Sequence, residues 1–175
     1  SVAAKLGLPV RRQYDLTTVS VPSETLLLID PEIERGIEIP GIVDRQADIL
    51  PKIWTLSDGT SLVGGVCVNF TKRSPEDLFL RGRPRSLGRV EISSGILAIV
   101  DRDAWQTRPP ELRGDELRKR LEQDRVEKIL IDASTGTTAV LLPTGYGAGK
   151  YAAVATFHEG RILDIEVFML KGNCP

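Results

Sequence analysis

The clearest alternation in the chain lies near its end, where Leu163, Ile165, Val167 and Met169 interleave with Asp164 and Glu166. A period of two sets the apolar side chains on one face and the carboxylates on the other, which predicts a half-buried antiparallel strand. Shorter runs rich in Val, Ile, Leu and Thr predict further strands over 126–132, 137–142 and 151–157, and residues 161–170 close the series. Turn formers separate them: Ser134-Thr135-Gly136, the glycine-rich stretch 145–149, and His158-Glu159-Gly160. Upstream, VEISSGILAIV (90–100) reads as a strand, a Ser-Ser-Gly break, and a second strand.

Helical spacing is rarer. Residues 111–124 (ELRGDELRKRLEQD) place Leu117 and Leu121 four apart and let Glu116 face Arg120, behind the pair Pro109-Pro110. Gly114 delays the expected start to Asp115, and the wide polar faces predict a surface helix lying across a sheet. In the first half, strands are expected over 25–29 and 62–70, with Asp58-Gly59 as the turn before the second. Residues 31–51 carry enough Pro and Gly to argue against long regular structure. A gapless match of VSVPSETLLLID (19–30) to VEISSGILAIVD (90–101) raises a duplication that would make Asp30 and Asp101 equivalent, although strand-and-turn composition alone also produces such matches.

These elements predict a mainly β (α+β) fold: an antiparallel curved sheet, small sandwich or barrel with one surface helix, and two similar halves if the repeat is real. The 175 residues suit a single domain spanning 1–175, with a subdivision near residue 85 as the variant. An apolar fraction of 41% and a charged fraction of 27% are those of a globular protein. The net charge of −1 supplies no field for nucleic acid or anionic lipid, and no apolar run reaches membrane-spanning length. RGRPRSLGR (81–89) is the basic exception; without interleaved aromatics it reads as a solvated linker. Two cysteines make no disulfide framework: Cys67 is expected buried and Cys174 exposed, and a cytoplasmic location follows.

The stretch PTGYGAGKYAAV (143–154) resembles a phosphate loop only in composition. Gly145 precedes Gly149 by four residues, Lys150 is followed by Tyr151 in place of Ser or Thr, and the next residues alternate like a strand. It reads as a hairpin connection with Tyr146 at its tip, and no cofactor is expected. His158 is the single histidine, which leaves zinc sites and Ser-His-Asp catalysis without partners, so no metal is expected. The remaining route to catalysis is a set of strand-end carboxylates, Asp30, Asp101 and Asp103, with Asp132 at another strand end; such residues could hold magnesium or act as an acid–base pair, or cap turns. Trp105 and Tyr146 lie beside turn-rich segments and are the candidate aromatic anchors for a partner.

SSGILAIVDRDAW and TGYGAGKYAAVATFHEGRILDIEVFM together resemble a family of small, uncharacterised bacterial proteins with an SGxLxIxDP segment and a closing TGxGDGxYxV hairpin. The resemblance covers residues 90–170 and implies a β-rich fold and a bacterial origin. The chain departs from that pattern at Arg102, where the proline would stand, and at Ala148, where the loop Asp would stand. The expected function is non-enzymatic: binding of another protein by a small cytoplasmic bacterial factor of the immunity-like or regulatory kind. The alternatives are a carboxylate-dependent, metal-assisted hydrolase using Asp30, Asp101 and Asp103, and small-ligand binding in a β cavity.

Overall fold

The computed structural model describes residues 10–13, 17–55, 57–70, 82–121, 127–145 and 147–169. Among them, twelve strands form two antiparallel sheets. The larger sheet holds β1 (Val10–Gln13), β2 (Thr17–Ser20), β5 (Gln46–Thr55), β6 (Ser61–Asn69), β7 (Arg83–Ile92), β11 (Gly149–His158) and β12 (Arg161–Phe168). Its order is β1-β5-β6-β12-β11-β7, with β2 also pairing β5. The smaller sheet runs β4-β3-β8-β10-β9, from β3 (Leu26–Asp30), β4 (Arg35–Ile39), β8 (Ile96–Asp101), β9 (Glu127–Asp132) and β10 (Thr137–Pro143). No helix among the described residues is long and apolar enough to cross a membrane.

Two apolar layers follow from the alternation. The main core lies between the sheets and draws on Leu26, Leu28, Leu97, Ile99, Val140 and Leu142 from the smaller one, and Val66, Val68, Ile165 and Val167 from the larger. The opposite face of the smaller sheet exposes Leu27, Ile29, Ala98, Val100, Ile129 and Leu141 to a second cluster. That cluster is closed by α1 (Arg102–Gln106), a 3-10 turn (Pro110–Leu112) and α2 (Gly114–Leu121), through Ala104, Trp105, Leu112 and Leu117. Burying both faces explains why β3 and β8 are buried along their lengths apart from Ile96.

The two halves trace the same route. In each, the chain leaves the larger sheet, forms two strands of the smaller one, and returns for a hairpin: β2, β3, β4, β5, β6 and then β7, β8, β10, β11, β12. The second half differs by the α1–α2–β9 insertion between β8 and β10. Leu28 pairs with Ile99, the position equivalent to it in the sequence repeat, as a local twofold between β3 and β8 requires. Both hairpins carry a register shift, at Lys52/Ile53 and at Thr156/Phe157, and they abut through β6 and β12.

Several sequence expectations are corrected. Among the described residues, the helical layer has two helices and a 3-10 turn in place of one helix. Residues 31–51 include β4 and most of the ten-residue β5. Pro51 is tolerated inside β5 because pairing to β2 stops at Ile49 and pairing to β1 begins at Lys52, so a residue without an N–H falls in the gap. The basic stretch is no linker: residues 83–89 belong to edge strand β7, where Arg83, Arg85 and Arg89 are exposed and Arg85 covers the Phe157 ring at 4.9 Å. Charged edges of this kind discourage pairing with further strands. Cys67 is only partly buried, facing Glu166 across β6 and β12; Cys174 lies outside the described residues.

The glycine stretch is a corner between sheets, since β10 and β11 belong to different ones. Gly145 N donates to Val63 O at 3.0 Å and Gly147 N to Thr144 O at 2.9 Å, so these two amides are spent on the fold. Gly147 stands at φ 71, where a side chain would be strained. Tyr146, the expected tip, lies outside the described residues.

Candidate functional site

The strand-end carboxylates act on the fold. Asp30 is fully buried and accepts Ser93 N at 2.6 Å and Ser94 N at 2.8 Å on Oδ2. Its Oδ1 accepts Ser94 Oγ at 2.9 Å and Glu32 N at 2.9 Å. Asp101 answers from the other half: Oδ1 accepts Ser23 N at 2.9 Å and Ser23 Oγ at 2.6 Å, while Oδ2 caps α1 through Ala104 N at 3.1 Å. Ser23 and Ser94 are equivalent in the repeat, so each half grips the other's corner with the same Asp–Ser pair. Both aspartates also cap the turn that follows them.

This arrangement sets Asp30 apart from Asp101. Asp101 lies opposite Leu26, four residues from Asp30, which separates the two carboxylates by roughly 13 Å along the strand. Asp103 is exposed on α1 and takes Arg102 Nε at 3.0 Å. Asp132 accepts Ser134 N at 2.9 Å and Ser134 Oγ at 2.6 Å in its own turn. No group of His, Cys, Asp and Glu among the described residues could hold a metal ion.

Asp30 has a pH signature. Burial alone would raise its pKa; hydrogen bonds from the Ser94, Glu32 and Ser93 amides and the Ser94 hydroxyl outweigh it and hold the carboxyl below the ordinary 3.8. A lowered folded-state pKa stabilises the fold above the unfolded value, and that stabilisation is lost as pH falls through it toward the folded one. Unfolding midpoints measured across pH 5 to about 2 should therefore fall with acidification. The fall should be shallower in Asp30→Asn, which no longer titrates.

The cleft with chemical potential lies on the outer face of the smaller sheet, where the helical layer stops short of β4. It has a volume of about 380 Å³. Leu27, Ile29, Gly36 and Glu38 of β3 and β4 form its floor, and Glu34, Trp105, Gln106, Arg108 and Arg113 its walls. Gly36 is required there, because a methyl group would run into the Leu28 carbonyl oxygen of the paired strand. Trp105 is 4% exposed, which corrects its expected role as an exposed anchor. The Arg108 guanidinium stacks on its ring at 3.8 Å.

Arg108 is itself buried. Its Nε donates to Leu112 O at 2.9 Å, Nη1 to Trp105 O at 2.8 Å, and Nη2 to Glu34. Arg113 brings a second guanidinium, donating to the main-chain carbonyls of Arg108 and Gln106. The Trp105 Nε1–H is buried and finds no acceptor among the described residues. An apolar floor, two guanidinium groups and two carboxylates form a recognition surface of mixed character. Sequence reasoning missed Glu34, Glu38, Arg108 and Arg113; the one local signal was the Trp105-x-x-Arg108 spacing ahead of Pro109-Pro110.

No family model, curated protein or solved structure matches the chain.

Proposed function

We propose that the chain is a non-enzymatic cytoplasmic protein that binds another protein, as a factor of the immunity-like or regulatory kind, and that the Trp105–Arg108 cleft is where the partner docks. The cleft itself is the observation that carries this reading. The stacked Trp105–Arg108 pair forms a rigid wall beside an apolar floor, with charges of both signs at the rim, a concavity suited to an incoming side chain. The commitment of Asp30 and Asp101 to the fold supports binding over catalysis.

Retention of a partner from host extract by the tagged protein, compared with Glu38→Arg and Arg113→Glu, tests the reading. Both positions are exposed, but Arg113 also donates to the Arg108 and Gln106 carbonyls, so the unfolding midpoint of each variant is measured first and only a folded variant is compared. A partner held by the wild type and lost by both variants is the expected result. Equal retention by all three proteins would put the interface elsewhere, and turnover of a substrate by the purified chain would refute the non-enzymatic reading.

A further inference from the structure

We infer that the cleft recognises a partner segment presenting an acidic side chain next to an apolar one, the incoming carboxylate replacing Glu34 on Arg108. This inference rests on the binding reading above. Arg108 is 7% exposed, and among the described residues Glu34 is the one carboxylate paired with it. Its other bonds go to the carbonyls of Trp105 and Leu112, which orient the guanidinium without neutralising it. Glu34 is the solvent-facing member of the pair: its side chain is 52% exposed, against 7% for Arg108. Displacing it moves its carboxylate into water, whereas Arg108 keeps its bonds to the Trp105 and Leu112 carbonyls.

The unfilled capacity of the wall is of the donor type. A guanidinium offers five N–H groups in a planar fork suited to carboxylates, and Arg108 spends three of them on the contacts above. Arg113, at the rim, adds positive charge. Leu27 and Ile29 provide the apolar floor. Glu38, with no cationic partner among the described residues, disfavours a second acid and favours an uncharged or basic neighbour.

The probes are the peptides acetyl-Leu-Glu-Leu-amide and acetyl-Leu-Gln-Leu-amide, with sodium acetate as the free carboxylate. Each is titrated to millimolar concentration against nitrogen-15-labelled full chain. The readout is the indole N–H resonance of Trp105, assigned with Trp105→Phe. The Glu peptide should shift it saturably and bind about tenfold more tightly than the Gln peptide. In Glu34→Gln, which lacks the internal competitor, the Glu peptide should bind at least about fivefold more tightly. Equal binding of the two peptides would overturn the carboxylate assignment, and acetate matching the Glu peptide would overturn the need for an apolar neighbour. Should no probe shift the resonance while the partner retained from extract does, the inference falls and the binding reading stands. If the partner also leaves it unmoved, both fall.

Discussion

Asp30→Ala should destabilise the protein by about 3–5 kcal/mol, measured by chemical denaturation. The substitution strips the acceptor from the amides of Ser93 and Ser94, from the Ser94 hydroxyl and from Glu32 N, in a place that water does not reach. Neutral hydrogen bonds are each worth about 1 kcal/mol and those to a charged acceptor about 1.5–3, so losing four together is severe even after relaxation. Asp101→Ala should cost less, since three donors converge there. Asp30→Asn should fall between wild type and Asp30→Ala, because an amide NH₂ must then face one set of N–H donors. A cost under about 1 kcal/mol for Asp30→Ala would mean that the corner is not held by this carboxylate.

Ile165→Ala should cost about 2–4 kcal/mol. Ile165 is fully buried, pairs with Val68 on one side and Ala155 on the other, and belongs to the core between the sheets. Deleting its outer carbons leaves a cavity bounded by two paired strands that cannot easily move together. Asp164→Ala, on the outer face of the same strand, should cost clearly less. The reverse order would imply a slip of one residue, which would exchange the two faces of β12.

The parts of the fold legible in the sequence are those where one face is buried and one is wet. β12 was readable because Asp164 and Glu166 punctuate its apolar residues, and β9, β10 and β11 because turns bound them. β5 was hidden by Pro51, whose missing N–H matters only where an outer neighbour pairs, and that is decided by the register of β1 and β2. The corner at 144–148 has the composition of a hairpin, and nothing local distinguishes a hairpin from a crossing between sheets. α1 is one short turn of helix, too brief for periodicity, and its N-cap Asp101 read as a carboxylate at a strand end. The repeat at 19–30 and 90–101 was visible, whereas the exchange of Ser23 and Ser94 between halves required the pairing of β3 with β8. The cleft was not legible at all, because β3 and β4 are brought against residues 105–113 only by tertiary packing.

Site-specific photo-cross-linking tests most directly whether the Trp105–Arg108 cleft is the binding face. A benzophenone side chain placed at position 38, on the open floor of the cleft, is compared with one at position 154, on the outer face of the larger sheet. The account predicts one specific adduct from position 38, suppressed by the Arg113→Glu change, and none from position 154. An adduct that forms at 154 and not at 38 would contradict it.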